Sequence, residues 1–208
     1  MSFFPSRRIE DAGDYARAYF DLLGQACATV SSDAMTAAGR MLSEAAQAGR
    51  TIYSCGNGGS AAIANHLVCD CLKGVRTNSD LKPRVVSLSS TVELITAIVN
   101  DIGSEQMFSF QLESLGAEGD VLVAISSSGS SPNIINAITR AKSLGMRTLA
   151  MTGFSGGDAA RLADVSLHVD AQNYGVIEDT HQSLMHILAQ FMRQFHISDV
   201  NALGKLKF

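Results

Sequence analysis

The sequence predicts an α/β fold, a three-layer sandwich in which a five-stranded parallel sheet is flanked by helices, with two more helices ahead of it. Three observations carry this. Short apolar runs alternate with stretches of helical composition along most of the chain. Each run is continuously apolar rather than alternating, the pattern of a strand covered on both faces. Several runs end in glycine- or serine-rich segments that stop a strand and open a turn.

Taken in order, apolar residues recur at helical spacing from about Asp11 to Ala48, and Ser31-Ser32-Asp33 interrupts them with residues suited to a helix cap. Two N-terminal helices are therefore expected within about 8–48, ahead of an α/β core over about 50–196. The core opens with a strand at Thr51-Ile52-Tyr53-Ser54-Cys55, a glycine loop and a helix from Ala61 to Lys73. A second strand, Arg84 to Leu88, precedes a helix from Val92 to Asn100, and a third, Val121 to Ile125, precedes one from Pro132 to Leu144. Arg147 to Met151 leads through Gly153-Phe154-Ser155-Gly156-Gly157 into a short helix near Asp158 to Leu162. Val165 to Val169 supplies the fifth strand, and a long helix from Ile177 to Phe195 closes the core. The end, Ser198 to Phe208, reads as a flexible tail or an interface strand, within a tail region of 197–208.

With 208 residues and 46% hydrophobic side chains the chain can bury a sizeable core, and one domain over 1–208 is the expected organisation. A charged fraction of 17%, a net charge of −4 and the lack of any long Lys/Arg run give no footprint for nucleic acid or a membrane surface. The first residues lack the basic-then-apolar order of a signal peptide, and no apolar stretch approaches the roughly 18 residues of a membrane span, so a cytoplasmic protein is expected. Cys27, Cys55, Cys69 and Cys71 match neither a disulfide framework nor a C-x-x-C site. Cys27 and Cys55 read as packing residues.

In open parallel sheets ligands bind beyond the carboxyl ends of the strands, where the glycine and serine loops fall. Ser126-Ser127-Ser128-Gly129-Ser130-Ser131 holds five serines in six residues. Such a loop offers an anion backbone N–H groups, the positive end of the next helix and short hydroxyl donors, without Lys or Arg. Pro132 suits the first helical turn. The same residues also fit an ordinary turn with Ser131 as helix cap. Gly56-Asn57-Gly58-Gly59-Ser60 invites a dinucleotide reading, but the following strand ends in Leu88-Ser89-Ser90 with no acidic residue for a ribose, and Gly-Lys-Ser/Thr is missing. Two loops converging on one small phosphorylated molecule account for both.

These residues resemble the sugar isomerase (SIS) domain family and, within it, the phosphoheptose isomerases. The resemblance rests on Ser54 to Ser60 with His66 following, Asn100-Asp101, Gly119-Asp120-Val121 leading to Ile125 through Gly129, Thr152-Gly153 with Gly156-Gly157, and His186-Ile187-Leu188. It runs from the N-terminal helices to about Phe195. It implies a flavodoxin-like SIS fold, a homo-oligomer, expected to be a tetramer with active sites near subunit contacts, and interconversion of sedoheptulose 7-phosphate and D-glycero-D-manno-heptose 7-phosphate. At matching positions it implies phosphate binding by Ser126, Ser127, Ser128 and Ser131, sugar binding by Asn57, Gly58 and Ser60, and a sugar contact from Asp101 beside Asn100. The family's metal-associated histidine falls at His66, its acid–base histidine at His186, its catalytic Glu at Asp70 and its Gln near the start of the last helix at Glu178. By that resemblance Asp70 and His186 are the catalytic pair, Asp70 and Glu178 also touch substrate, and His66, Asp70, Glu178 and His186 hold a divalent metal, zinc in the first place. Two of these positions depart from the family, Asp for Glu and Glu for Gln. Losing a methylene displaces a carboxylate by roughly an ångström, enough to matter for proton transfer. Lys73-Gly74-Val75 also stands where the family pattern has Gly-Arg-Tyr.

The residues themselves support such chemistry. Aldose–ketose isomerisation moves one proton between neighbouring carbons and another between their oxygens, so it needs a base and an acid. His66 and Asp70 are spaced i, i+4 on one helix face near the glycine loop. Histidine with carboxylates suits zinc or a similar ion, which would polarise the carbonyl; the plainer alternative is a solvated pair or a hydrogen-bonded histidine. In a regular helix Glu178 and His186 stand about 12 Å apart along the axis, too far to share one ion easily. Either Glu178 precedes the regular helix or one of them serves another subunit. His181 fits a ligand, a proton shuttle or a structural role. His168 and His196 read as structural, and Glu93 as a helix-cap charge. Two competing functions remain in view: an isomerase for a different phosphosugar, and a non-catalytic phosphosugar-binding regulator.

Overall fold

The computed structural model describes residues 3–205. The two helical signals at the start become α1 (Ala12–Ala28) and α2 (Ser32–Gln47), each opened by a capping side chain: Asp11 accepts from the Asp14 N–H and Ser31 from the Ala34 N–H. The core follows as β1 (Thr51–Gly56), α3 (Gly59–Cys69), β2 (Arg84–Ser87), α4 (Val92–Asp101), α5 (Ser109–Leu115), β3 (Val121–Ser126), α6 (Pro132–Ser143), β4 (Arg147–Thr152), α7 (Gly157–Leu162), β5 (Val165–His168) and α8 (Tyr174–Phe195).

The five strands pair in parallel in the order β2-β1-β3-β4-β5. The order reverses between β1 and β3, the switch point at which a flavodoxin-like sheet opens a crevice at its carboxyl end. Alternate residues of β3 face opposite layers. Val121, Val123 and Ile125 join the core under α1, α2, α3 and α8, while Leu122 and Ala124 join the core under α5 and α6. That two-sided burial is why these strands read as unbroken apolar runs. The edge strand β2 departs from the pattern, since Arg84 and Val86 are exposed.

Three boundaries differ from expectation. The third helix begins at Gly59, so the glycine loop itself forms its N-terminus, with Gly58 in the cap position at a positive φ of 55° that favours glycine. Beyond Cys69 the helix does not run on regularly but widens into a π-helical segment, Asp70–Val75, with Asp70 and Cys71 buried at its start. The last helix begins at Tyr174, where Asn173 caps it by accepting from the Val176 N–H, so Glu178 lies within the regular helix and not ahead of it. Helix α5 lies outside every expected element. Its seven residues are too few for a periodic signal, yet Phe108 and Leu112 are fully buried there. Cys27, expected as packing, is exposed, whereas Cys55 is buried and its thiol is pushed up by burial. The tail makes a short 3₁₀ turn, Val200–Ala202, preceded by an antiparallel bridge from Ile197 to Ser79; residues 206–208 lie outside the described residues. Among the described residues no helix is long and apolar enough to cross a membrane.

Candidate active site

The serine loop leaves β3 at its carboxyl end and enters α6. Gly129 has φ +64°, and a Cβ there would fall 1.9 Å from the Gly156 carbonyl oxygen. Gly157 is equally constrained, its Cβ position lying 2.4 Å from the Gly129 carbonyl. The Gly129 carbonyl accepts from Ala159 N–H at 2.9 Å, and the Ser127 carbonyl from Gly153 N–H at 2.8 Å. The glycines after β4 thus act as a backing that fixes the serine loop, a role their position in the sequence does not reveal.

Ser131 occupies the N-cap position of α6, but its side chain does not cap the helix; its hydroxyl faces that of Ser126 at 3.5 Å. The Ser127 hydroxyl is buried and meets no hydrogen-bond partner. Ser126 Oγ also accepts from the Gly129 N–H at 3.2 Å. The loop borders a cavity of about 150 Å³ lined by Asn57, Ser60, Ser126, Ser127, Ser128, Ser131, Tyr174 and Glu178. Hydroxyls and backbone N–H groups at a helix N-terminus are the donors that an anion calls for. Asn57 and Asn133 exchange reciprocal amide hydrogen bonds of 3.0 and 2.9 Å, tying the glycine loop to the first turn of α6. Neither Asn133 nor Tyr174 stood out in the sequence.

Glu178 enters the same cavity. Gly59 makes room for it: a Cβ on that residue would lie 2.3 Å from Glu178 Oε2. Burial first, then the charge of Asp179, raises its carboxyl above the ordinary value. Gly58 shapes the turn but does not line the cavity, and Asn100 and Asp101 stand apart from it at the exposed end of α4, where the Asn100 amide donates to Asp101 at 2.6 Å.

Along the seam between α3 and α8 a second group of side chains gathers. Asp70 accepts from His186 Nδ1 at 2.6 Å and faces His66 Nε2 at 3.4 Å. The two imidazole rings stand edge to face, 4.9 Å between centroids. Gln182 joins them, its Nε2 lying 3.1 Å from His66 Nδ1 and 2.9 Å from His186 Nε2. His66, Asp70 and His186 bring three ligand atoms within 4.8 Å of one another, and two imidazoles with a carboxylate are a donor set that fits zinc. The expectation that Glu178 joins this set is not met within the chain. It lies two helical turns before His186 and turns to the serine cavity instead.

His181 has a structural place. It is fully buried, with Nε2 3.1 Å from the Thr152 carbonyl, and burial holds its imidazole well below the ordinary range, at about 4. It is therefore a neutral donor to the end of β4.

The sequence model of the SIS domain family matches residues 14–153. The chain belongs to the SIS domain family. The matched stretch contains both loops, His66 and Asp70, and stops ahead of α8. The phosphoheptose isomerase of Nitratidesulfovibrio vulgaris is 39% identical over 155 residues, 74% of this chain and 74% of that protein. The solved phosphoheptose isomerase GmhA from Neisseria gonorrhoeae superposes with a TM-score of 0.80 at 31% identity, over 88% of this chain and 98% of that one. A phosphoheptose isomerase from Francisella tularensis gives 0.79 at 30% identity, over 88% and 99%. These two structural matches extend the likeness over more of this SIS chain than the family model covers.

Proposed function

We propose that the protein is a phosphoheptose isomerase, interconverting sedoheptulose 7-phosphate and D-glycero-D-manno-heptose 7-phosphate, as one domain within a cytoplasmic homotetramer that carries a divalent cation, zinc in the first place. The observation that carries this reading is the spacing of the two residue groups along α3 and α8. Gly59 meets Glu178, His66 meets Gln182 and Asp70 meets His186, so the helices run side by side from the serine cavity to the His–Asp cluster. Ser60, in the cavity, and His66 are six residues apart on α3, about 9 Å along the axis. An extended carbon chain advances about 1.3 Å per bond of about 1.5 Å. A seven-carbon sugar with its phosphate among the serines therefore reaches the cluster with its carbonyl end.

In this reading Ser126, Ser127, Ser128 and Ser131 bind the phosphate, while Asn57 and Ser60 border the sugar and Gly58 shapes the turn between them. Asp70 takes the proton from the carbon next to the carbonyl and returns it to the neighbouring carbon. Its carboxylate is held in place by the His186 N–H, and His186 manages the proton between the two oxygens. His66 fixes the other Asp70 oxygen. A divalent cation bound at His66, Asp70 and His186 would supply polarisation of the substrate carbonyl.

The test compares five-, six- and seven-carbon ketose phosphates as substrates for the purified protein, with and without a chelator. Turnover greatest on the seven-carbon sugar and lost with the chelator is the expected result. Turnover greatest on a shorter sugar would assign a different phosphosugar, and tight binding without turnover of any would make the protein a non-catalytic phosphosugar binder.

A further inference from the structure

His181 is completely buried, and the proposed reaction makes no use of it. It stands one turn after Ile177 on α8, and Ile177 packs so closely on Gly153 that a Cβ there would fall 2.5 Å from it. That approach brings the His181 ring to the Thr152–Gly153 peptide, with Nε2 3.1 Å from the Thr152 carbonyl oxygen. A carbonyl only accepts, so in the neutral ring Nε2 carries the proton, while Nδ1 is bare, buried and without a hydrogen-bond partner. The Thr152 carbonyl already accepts from the Val169 N–H at 2.9 Å. The imidazole is therefore not needed to satisfy it, and a bare buried nitrogen is a cost that an apolar side chain would not carry.

What the Nε2 proton reaches is set by peptide geometry. In a trans peptide the carbonyl and the N–H of the next residue point in opposite directions. The Thr152 carbonyl turns to His181, and the N–H of the same peptide, that of Gly153, donates to the Ser127 carbonyl at 2.8 Å. The Ser127 carbonyl in turn shares its peptide with the Ser128 N–H. Because β3 lies between β4 and β1 in the sheet, an N–H pointing away from the end of β4 points toward the loop after β1, where Asn57 and Ser60 border the serine cavity. Among the described residues no group accepts from the Ser128 N–H. Two peptide units thus connect the imidazole to an unused donor at the cavity, and hydrogen bonds in such a chain polarise one another.

We propose that His181 is a positioning residue for the substrate phosphate: its Nε2–H, acting through the Thr152–Gly153 and Ser127–Ser128 peptides, orients and strengthens the Ser128 N–H as a phosphate donor. This rests on the reading of the serine cavity as the phosphate site.

The experiment titrates the full chain with inorganic phosphate by calorimetry, follows the amide signals of Gly153 and Ser128 and the His181 Nε2 proton by NMR, and measures steady-state kinetics on sedoheptulose 7-phosphate. Wild type binds phosphate, and the three signals move downfield together. His181→Leu raises the phosphate Kd and the sugar-phosphate KM about three- to tenfold, the range of one hydrogen bond, while kcat stays within about twofold, because the interaction serves ground state and transition state alike. His181→Gln, which offers an amide N–H to the same carbonyl, recovers most of the affinity. If His181→Leu fails to fold, His181→Met, unbranched and able to fill an irregular space, takes its place, and the wild-type signals test the relay without any variant. Unchanged affinity in the apolar variant, a loss confined to kcat, no recovery by His181→Gln, or a Ser128 signal that responds to phosphate while those of Gly153 and His181 do not each overturns the role of His181 and leaves the phosphate site standing. Wild type that binds no phosphate overturns both.

Discussion

Asp70 is 8% exposed and still keeps both oxygens in use, one toward each histidine. A nearly buried carboxylate held from two sides has little freedom, which is what a proton-transfer group needs. Asp70→Asn keeps the shape and removes the base, so kcat falls by about 10²–10⁴-fold while the KM for the phosphosugar changes little; steady-state kinetics check this. His181 makes a different prediction. Unfolded, it titrates near its ordinary 6.5, whereas in the fold the value is about 4. As the pH falls from about 6.5 to 4 the unfolded state takes up a proton that the native state refuses, so stability is full above that range and declines on acidification, by about 3 kcal/mol in all. Urea unfolding at pH 7.5 and pH 5 measures it, and His181→Gln, which keeps a donor for the Thr152 carbonyl, has the flatter dependence. Much at this scale is legible from the sequence. The i, i+4 spacing of His66 and Asp70 announces a shared face, and the 12 Å between Glu178 and His186 already argues against a common ion. Gln182 stands in an unusually polar stretch of the last helix, but its pairing with His66 carries no such signal, because it needs the partner helix in place.

At the scale of elements the serine loop depends on its backing. Gly129→Ala puts a Cβ against the Gly156 carbonyl at a positive φ, which strains the loop by about 1–3 kcal/mol and disturbs the anion site. Melting temperature falls, and the KM for the phosphosugar rises about tenfold, equivalent to about 1.4 kcal/mol of lost binding. Asn133→Ala, which breaks the amide pair with Asn57, raises KM with a smaller effect on melting. The strands and the loops after them are readable because both-face burial and chain reversal each demand particular residues. The starts of α3 and α8 are less so. Glycines at 58 and 59 read as loop yet open a helix, and the polar residues around Asn173 hide a cap. The π-helical widening at Asp70 has no sequence signature.

The molecule as a whole leaves a stripe of apolar side chains uncovered on its last helix. Ile187, Phe191 and Phe195 are 51%, 41% and 66% exposed, and they continue into a groove shared with Met35 and Gly39 of α2. A stripe of this size is expected to be covered by other copies of the chain. If the proposed tetramer forms through this face, sedimentation equilibrium is expected to give a tetramer mass for wild type and a lower mass for Phe191→Glu. Because α8 also carries Gln182 and His186, dissociation reduces turnover as well. The proposed isomerisation is tested most directly by what happens to sedoheptulose 7-phosphate in deuterated water. Wild-type protein with zinc converts it to the aldose heptose 7-phosphate with solvent deuterium on the carbon next to the carbonyl, and Asp70→Asn loses the conversion and the exchange together. Wild-type protein that holds the phosphosugar and produces neither aldose nor exchange would contradict it.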